Sequence, residues 1–119
     1  MKIYYLIIFI FSLTVFSNEQ FVLKINEDFV NFGEINNQVN VSMDCLGDCK
    51  LVEKIRAIKS RDQFFVDGKN PNVLLCIYGI EGDLAVGEKI SNDGKLTSVQ
   101  LCVFEGSFIY LSDILKITN

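Results

Sequence analysis

The sequence predicts an α+β fold, in which two short helices pack on an antiparallel β-meander to form a small, disulfide-stabilised single domain. Three observations lead to this prediction. A capped apolar helix begins at Asn70, two tight-turn signals follow it at 92–94 and 105–107, and all four cysteines lie after the apolar N-terminus. The stretch 70–114 is therefore predicted to be the central unit, a helix followed by three strands.

The N-terminus has the pattern of a secretory signal peptide. Lys2 precedes a run of mostly apolar residues from Ile3 to Val15, and the small residue Ser17 follows it. This run of thirteen residues is short of the ~20 that a membrane-spanning helix needs, so cleavage after Ser17 is favoured over a membrane anchor. We expect residues 1–17 to be removed and residues 18–119 to form one exported α+β domain.

The strands and helices are predicted in chain order from hydrophobic spacing. Phe21–Ile25 and Val39–Met43 are candidate strands, and the asparagine-rich stretch between them is predicted to be loop with one more short strand at most. Lys50–Ser60 is the clearest amphipathic helix, since Leu51, Ile55 and Ile58 recur at helical spacing. Phe64 and Phe65, which follow this helix, are expected in the core rather than in an exposed interaction site.

The central unit begins with a helix over 71–78, because asparagine caps a helix start and proline suits the first helical turn. Gly79 ends it. Strands are predicted over 83–90, 96–104 and 108–111, joined by the two turns. On the first of them Leu84, Val86 and Ile90 share one alternation.

The four cysteines predict two disulfides, because an even count in a small exported chain is typical of an oxidising compartment. Three pairings are possible, and we favour Cys45–Cys49 as a local staple with Cys76–Cys102 as a clamp between helix and sheet. Three residues separate the first pair, whereas thiol oxidoreductases have two. A zinc site would need a second close pair, which the spacing of the others does not provide.

Five basic residues cluster on and after the amphipathic helix: Lys50, Lys54, Arg56, Lys59 and Arg61. One interpretation is a contact surface for an anionic partner, such as lipid headgroups or an acidic protein surface. The other is a solvated helix whose long side chains flank the apolar stripe. The second interpretation fits the distribution of these side chains over both flanks of the helix.

The composition excludes several classes of function. The chain has no histidine, which removes the usual general base near neutral pH and the triads that depend on it. The net charge of −4 argues against nucleic-acid binding. We therefore predict a protein without catalytic activity, cofactor or metal.

Residues 70–114 resemble a small bacterial hemolysin-like domain. The resemblance rests on Asn70-Pro71, on Cys76, and on the segment from Cys102 through Phe104 to Gly106-Ser107. It implies a similar fold and an exported location, and it brings no catalytic residues with it.

These observations predict an exported, disulfide-stabilised binding or interaction protein, monomeric, secreted or periplasmic, whose ligand is an unknown protein or envelope component. The alternative, which the resemblance suggests, is a membrane-active secreted protein. In that case the basic helix would be the membrane contact.

Overall fold

The computed structural model describes residues 20–117. The predicted signal peptide lies outside the described residues, as do residues 118 and 119. None of the helices within 20–117 is long and apolar enough to cross a bilayer.

Six antiparallel strands form a closed barrel in the order β1-β2-β3-β6-β5-β4, and β4 pairs with β1 to close it. The prediction of two helices packed on a meander is therefore wrong. The predicted meander of 83–110 is half of the barrel, and a second meander of 21–42 supplies the other half. The strands are β1 Phe21–Ile25, β2 Asp28–Ile35, β3 Val39–Ser42, β4 Asp83–Ile90, β5 Leu96–Phe104 and β6 Ser107–Tyr110.

The asparagine-rich stretch, predicted to be mostly loop, contains β2 and the two turns on either side of it. Asn26, Asn36 and Asn37 have φ angles of 57°, 52° and 57°, in the left-handed region that asparagine tolerates better than most residues. The asparagines therefore turn the chain between strands. The same conformation recurs at Glu105 and Gly106, whose φ angles of 49° and 79° make the two-residue turn between β5 and β6.

Two short helices lie between β3 and β4. Helix α1 spans Lys50–Ala57, and helix α2 spans Pro71–Leu74 and continues as a π-helical turn over Leu75–Gly79. As predicted, Asn70 caps α2, because its side-chain oxygen accepts the backbone N–H of Asn72 at 2.9 Å. Single-turn or short 3₁₀ segments lie at Met43–Cys45, Asp62–Phe64 and Leu111–Lys116.

Residues 20–117 form two hydrophobic clusters, one inside the barrel and one on its outer surface. Inside the barrel Leu23, Ile25, Phe32 and Leu101 are buried against one another. On the outside the helices and the last 3₁₀ segment cover β3, β6 and one end of β5. The buried residues of this second cluster include Val41, Ile109 and Cys102 from the strands and Leu51, Ile55, Leu75 and Ile114 from the cover.

Both predicted disulfides are present, Cys45–Cys49 and Cys76–Cys102. The first lies at the start of α1, where Cys49 Sγ also accepts the backbone N–H of Val52. The second joins the π-helical turn to β5 and lies within the outer cluster. It therefore holds the helical cover against the barrel.

Candidate functional site

The five basic residues that sequence suggested as a contact surface have different surroundings. Lys50 Nζ lies 3.6 Å from Glu105 Oε2, and Lys54 Nζ lies 5.1 Å from the centre of the Phe104 ring. Both lysines line an open cleft of about 620 Å³ together with Glu53. Because two carboxylates share this cleft, its positive charge is largely balanced.

Arg61 belongs to the helical cover rather than to this cleft. Its guanidinium donates hydrogen bonds to the carbonyl oxygens of Leu115 at 3.3 Å and of Ile55 at 3.2 Å. The side chains of Arg56 and Lys59 are exposed on α1 or just after it. The structure thus brings Lys50 and Lys54 together in one cleft and gives Arg61 hydrogen bonds within the helical cover. That all five basic residues form a contact surface stays a prediction.

A second surface, which sequence analysis did not identify, is the outer apolar face of the barrel. It consists of side chains on β1, β2, β4 and β5 that are between 45% and 67% exposed. The residues of the outer apolar face are Val22, Phe29, Leu84, Val86, Ile90 and Leu96.

Strand register places these side chains on one side of the sheet. Ile90 pairs with Leu96, and Lys24 pairs with Phe29 on one side and Glu88 on the other. Paired residues of antiparallel strands project to the same face, and alternate residues share it. The six side chains therefore lie on the outer face of the barrel wall, where Lys24 and Glu88, a balanced pair of charges, separate Ile90 and Leu96 from Val86 and Leu84.

The outer apolar face is exposed because the helical cover ends beside it. Leu84 pairs with Cys102, which α2 and the π-helical turn bury, but no element among residues 20–117 covers Val86, Ile90 or Leu96. Alternation along β4 had shown that these residues share a face. It could not show which face of β4 points into the barrel, and the structure shows that this is the face of Gly87.

A groove beside β5 is the third surface, and we refer to it as the edge groove. Strand β5 pairs with β4 from Leu96 to Val103, but with β6 only from Leu101 to Phe104. Residues 96–100 thus leave one strand edge open, and a groove of about 600 Å³ runs beside the part of this edge at 98–100. The groove is lined by Asn70, Asn72, Ser98, Val99, Gln100, Tyr110, Leu111 and Ser112.

The lining of the edge groove carries no ionisable side chain except the phenol of Tyr110. Tyr110 packs against the rings of Phe21 and Phe32, at centroid distances of 6.0 Å and 5.9 Å. Burial raises the pKa of Tyr110, and the nearby carboxylates of Asp113 and Glu34 raise it further. The phenol is therefore neutral at physiological pH, and so is the whole lining.

Asn72, which lines the edge groove, also carries an unsatisfied polar atom that is itself buried. Its side-chain oxygen is the one buried side-chain nitrogen or oxygen within residues 20–117 that has no hydrogen-bond partner. Buried polar atoms without a partner are uncommon in folded proteins and cost free energy. Because this oxygen is buried, the groove itself offers a ligand the open strand edge and not this acceptor.

A cavity between β1, β2, β4, β5 and β6 is lined by two acidic side chains. Asp28 and Asp83 line this cavity of about 360 Å³, whose walls include Val30 and Phe108. No cluster of three or more metal-ligating cysteine, histidine, aspartate or glutamate side chains occurs in the part of the chain that the structure describes.

Comparison with known proteins identified no relative: no family model, no curated protein and no solved structure matches the chain. The resemblance of residues 70–114 to a hemolysin-like domain therefore stays a prediction from the sequence.

Proposed function

We propose that this chain is an exported, non-enzymatic binding protein, and that a protein partner or envelope component contacts its outer apolar face. The observation that carries the proposal is the exposure of six large apolar side chains on the outer face of four adjacent strands of the barrel. Contiguous apolar patches on a folded domain commonly mark interaction sites.

The barrel favours binding because it presents this surface on a rigid support. A closed sheet has its strands fixed by their neighbours, and the Cys76–Cys102 disulfide holds the helical cover in place. A partner therefore gains the hydrophobic contribution of about 25 cal/mol per Å² of buried apolar area with little cost for ordering the backbone.

Export is supported by the cysteines and by the N-terminal sequence pattern. Structural disulfides persist in oxidising compartments, and all four cysteines of this chain are paired. We accordingly place the protein in the periplasm or outside the cell, as a mature chain that begins at Asn18.

A membrane-active protein is the second candidate, because Phe29 is 67% exposed on the same face and exposed aromatic side chains can enter a membrane interface. The charges favour a protein partner instead. Lys24 lies beside Glu88 in the strand register, so the face offers no net positive charge to anionic lipids.

Site-specific photo-crosslinking in the host tests the proposal. A photo-reactive residue at Val86 should give a discrete protein adduct, and one at the exposed Lys59 on the helical surface should not. The substitution Ile90→Glu should abolish the adduct from Val86, because it places a charge in the apolar contact, while Lys95→Glu outside the face should leave it unchanged.

Failure to form an adduct from Val86, or an adduct that is indifferent to Ile90→Glu, would refute a contact at the outer apolar face. Binding to vesicles of phosphatidylcholine and phosphatidylglycerol distinguishes the second candidate, a membrane-active protein, from the first. Co-flotation of the purified protein with these vesicles that Ile90→Glu abolishes would favour membrane binding over a protein partner.

A further inference from the structure

We infer that the edge groove holds an extended, uncharged polypeptide segment of the partner, which adds to the sheet as a strand beside β5. This inference rests on the proposed function, and it names how the partner is held and which chemistry the groove selects.

The backbone of β5 presents a strand-binding pattern to the groove. In the turn between β4 and β5, Ser91 donates its backbone N–H to the carbonyl of Lys95 at 2.9 Å. Hydrogen-bonded pairs in an antiparallel ladder alternate along the strand. Thr97 and Val99 therefore direct their backbone groups to β4, while Ser98 and the N–H of Gln100 face the groove.

These groups have no strand partner among the described residues, because the β6 pairing ends at Leu101 and Tyr110. Ser98 and Gln100 are both exposed. Unpaired edge groups of this kind are a template for a strand from another chain. The open edge covers five residues from Leu96 to Gln100, or roughly 17 Å at strand spacing.

The groove also selects against charge. Its lining consists of amides, hydroxyls and apolar carbons, with no acid or base to pair with a charged ligand. A buried charge without a partner is costly, so a segment that carries Lys, Arg, Asp or Glu within the groove would bind poorly. A peptide backbone instead offers both donors and acceptors to the open edge of β5.

The walls of the groove favour a linear segment over a second copy of this chain. The open edge faces Asn70 and Asn72 at the start of α2, and Ser112 after β6. In a second copy the equivalent edge would carry the same walls, and both sets of walls would have to fit beside the two strands before these could pair. A flexible segment of a partner has no such walls.

The side-chain pattern of the ligand follows from the position of the added strand. Residues that point inward would lie beside Val99 and Tyr110, and residues that point outward would lie beside Leu96, Ser98, Gln100 and Leu111. Since strand residues alternate between faces, the segment should alternate apolar inward residues with small or polar outward ones. Its outward face would continue the outer apolar face at Leu96.

The test uses nine-residue peptides selected from a displayed random library on the immobilised protein. We expect the selected peptides to be uncharged. When such a peptide is bound, the backbone amide hydrogens of Ser98 and Gln100 should exchange with solvent at least about tenfold more slowly, because they are then hydrogen-bonded. Methylation of alternate peptide nitrogens should weaken binding about tenfold, and methylation of the others should not.

Two variants of the protein locate the site. Ser112→Tyr puts a bulky side chain from an exposed position into the groove and should weaken peptide binding about tenfold or more. Ser60→Tyr adds the same side chain at an exposed position outside the groove and should change nothing. Gln100→Pro removes one groove-facing N–H without touching the β4 ladder, because proline is tolerated at such edge positions, and it should weaken binding as well.

Enrichment of charged peptides, no enrichment at all, or binding that Ser112→Tyr leaves intact would overturn the inference. A concentration-dependent dimer that Ser112→Tyr converts to monomer would also overturn it, in favour of a second copy. Failure of this inference can be told apart from failure of the proposed function. If the crosslink from Val86 survives in Ser112→Tyr, the partner still contacts the outer apolar face, and only the added strand is refuted.

Discussion

Removal of the Cys76–Cys102 disulfide should destabilise the protein more than any other single covalent change. The bond closes a loop across a sequence separation of 26 residues. In the chain-entropy model such a loop contributes about 3.5 kcal/mol, because the cross-link restricts the unfolded chain. The double substitution Cys76→Ala with Cys102→Ala should therefore lower the free energy of unfolding by at least that amount, since both sulfurs are buried and their loss also leaves a void.

The Cys45–Cys49 disulfide provides the matched comparison. Its sequence separation is 4, for which the same relation gives only about 2 kcal/mol. Cys49 Sγ also caps α1, so the comparison variant should be Cys45→Ala with Cys49→Ser, because serine keeps a cap acceptor. The difference in the free energy of unfolding between the two double variants then reports the effect of loop length.

Equilibrium urea unfolding of the wild type and both double variants measures these values. We expect the first variant to lose about 1.5 kcal/mol more than the second, the difference between the two loop entropies. A loss below about 1 kcal/mol for the long-range bond, or a larger loss for the local one, would refute the view that Cys76–Cys102 is the clamp of the fold.

Three further predictions concern the packing around the barrel. Gly82→Ala should cost about 1–3 kcal/mol, because the added Cβ would lie 2.8 Å from the backbone oxygen of Val103. Asp113→Ala should cost about 3 kcal/mol, because the buried carboxylate accepts the backbone and side-chain N–H groups of Asn40 at 2.9 Å and 3.0 Å. Stability should fall as the pH rises above about 10, since the raised pKa of Tyr110 keeps its proton on the folded protein while the unfolded phenol ionises.

Each of these predictions has an internal control. Gly47→Ala adds the same methyl group with no atom within 4 Å and should leave urea unfolding unchanged, so equal losses at both glycines would contradict the packing argument. Asn40→Ala and Asp113→Ala should be non-additive if they break one interaction. Tyr78→Phe leaves Tyr110 as the one tyrosine of the predicted mature chain, so tyrosinate absorbance then reports its pKa, and a pKa at or below the ordinary value would refute the effect of burial.

The sequence predicted the local features of the fold and missed the pairings between distant segments. The Asn70 cap, the turn at Glu105-Gly106 and the disulfides depend on residues whose conformational preferences are strong. The barrel depends on the β3–β6 bridge between Val41 and Ile109, which are far apart in the chain. No local pattern marks such a contact, and asparagine suggested loop where it makes the turns of a second meander.

The candidate site was missed for a related reason. The alternation of Leu84, Val86 and Ile90 identified a shared face, but periodicity does not tell which face of a strand is buried. The small residues Ala85 and Gly87 were the available signal, because a six-stranded barrel has a narrow interior and Gly87 faces Leu101 there. The edge groove had no such signal in the sequence. It arises because β6 is shorter than β5 and leaves residues 96–100 of β5 without a neighbouring strand.

Phe65 shows how tertiary structure overrides hydrophobicity. It was expected in the core with Phe64, which is indeed 5% exposed, yet Phe65 itself is 61% exposed. Phe64 is the last residue of the short 3₁₀ turn over Asp62–Phe64, and Phe65 is the first residue after it. That turn places only one of them against the helical cover.

Peptide mapping of the protein recovered from its host, by mass spectrometry without reduction, tests the central claim that this chain is an exported, disulfide-clamped domain. We predict an N-terminus at Asn18, and linked peptides that join Cys45 to Cys49 and Cys76 to Cys102. An intact Met1 together with free thiols at all four cysteines would contradict the account, because both the compartment and the covalent clamp would then be wrong.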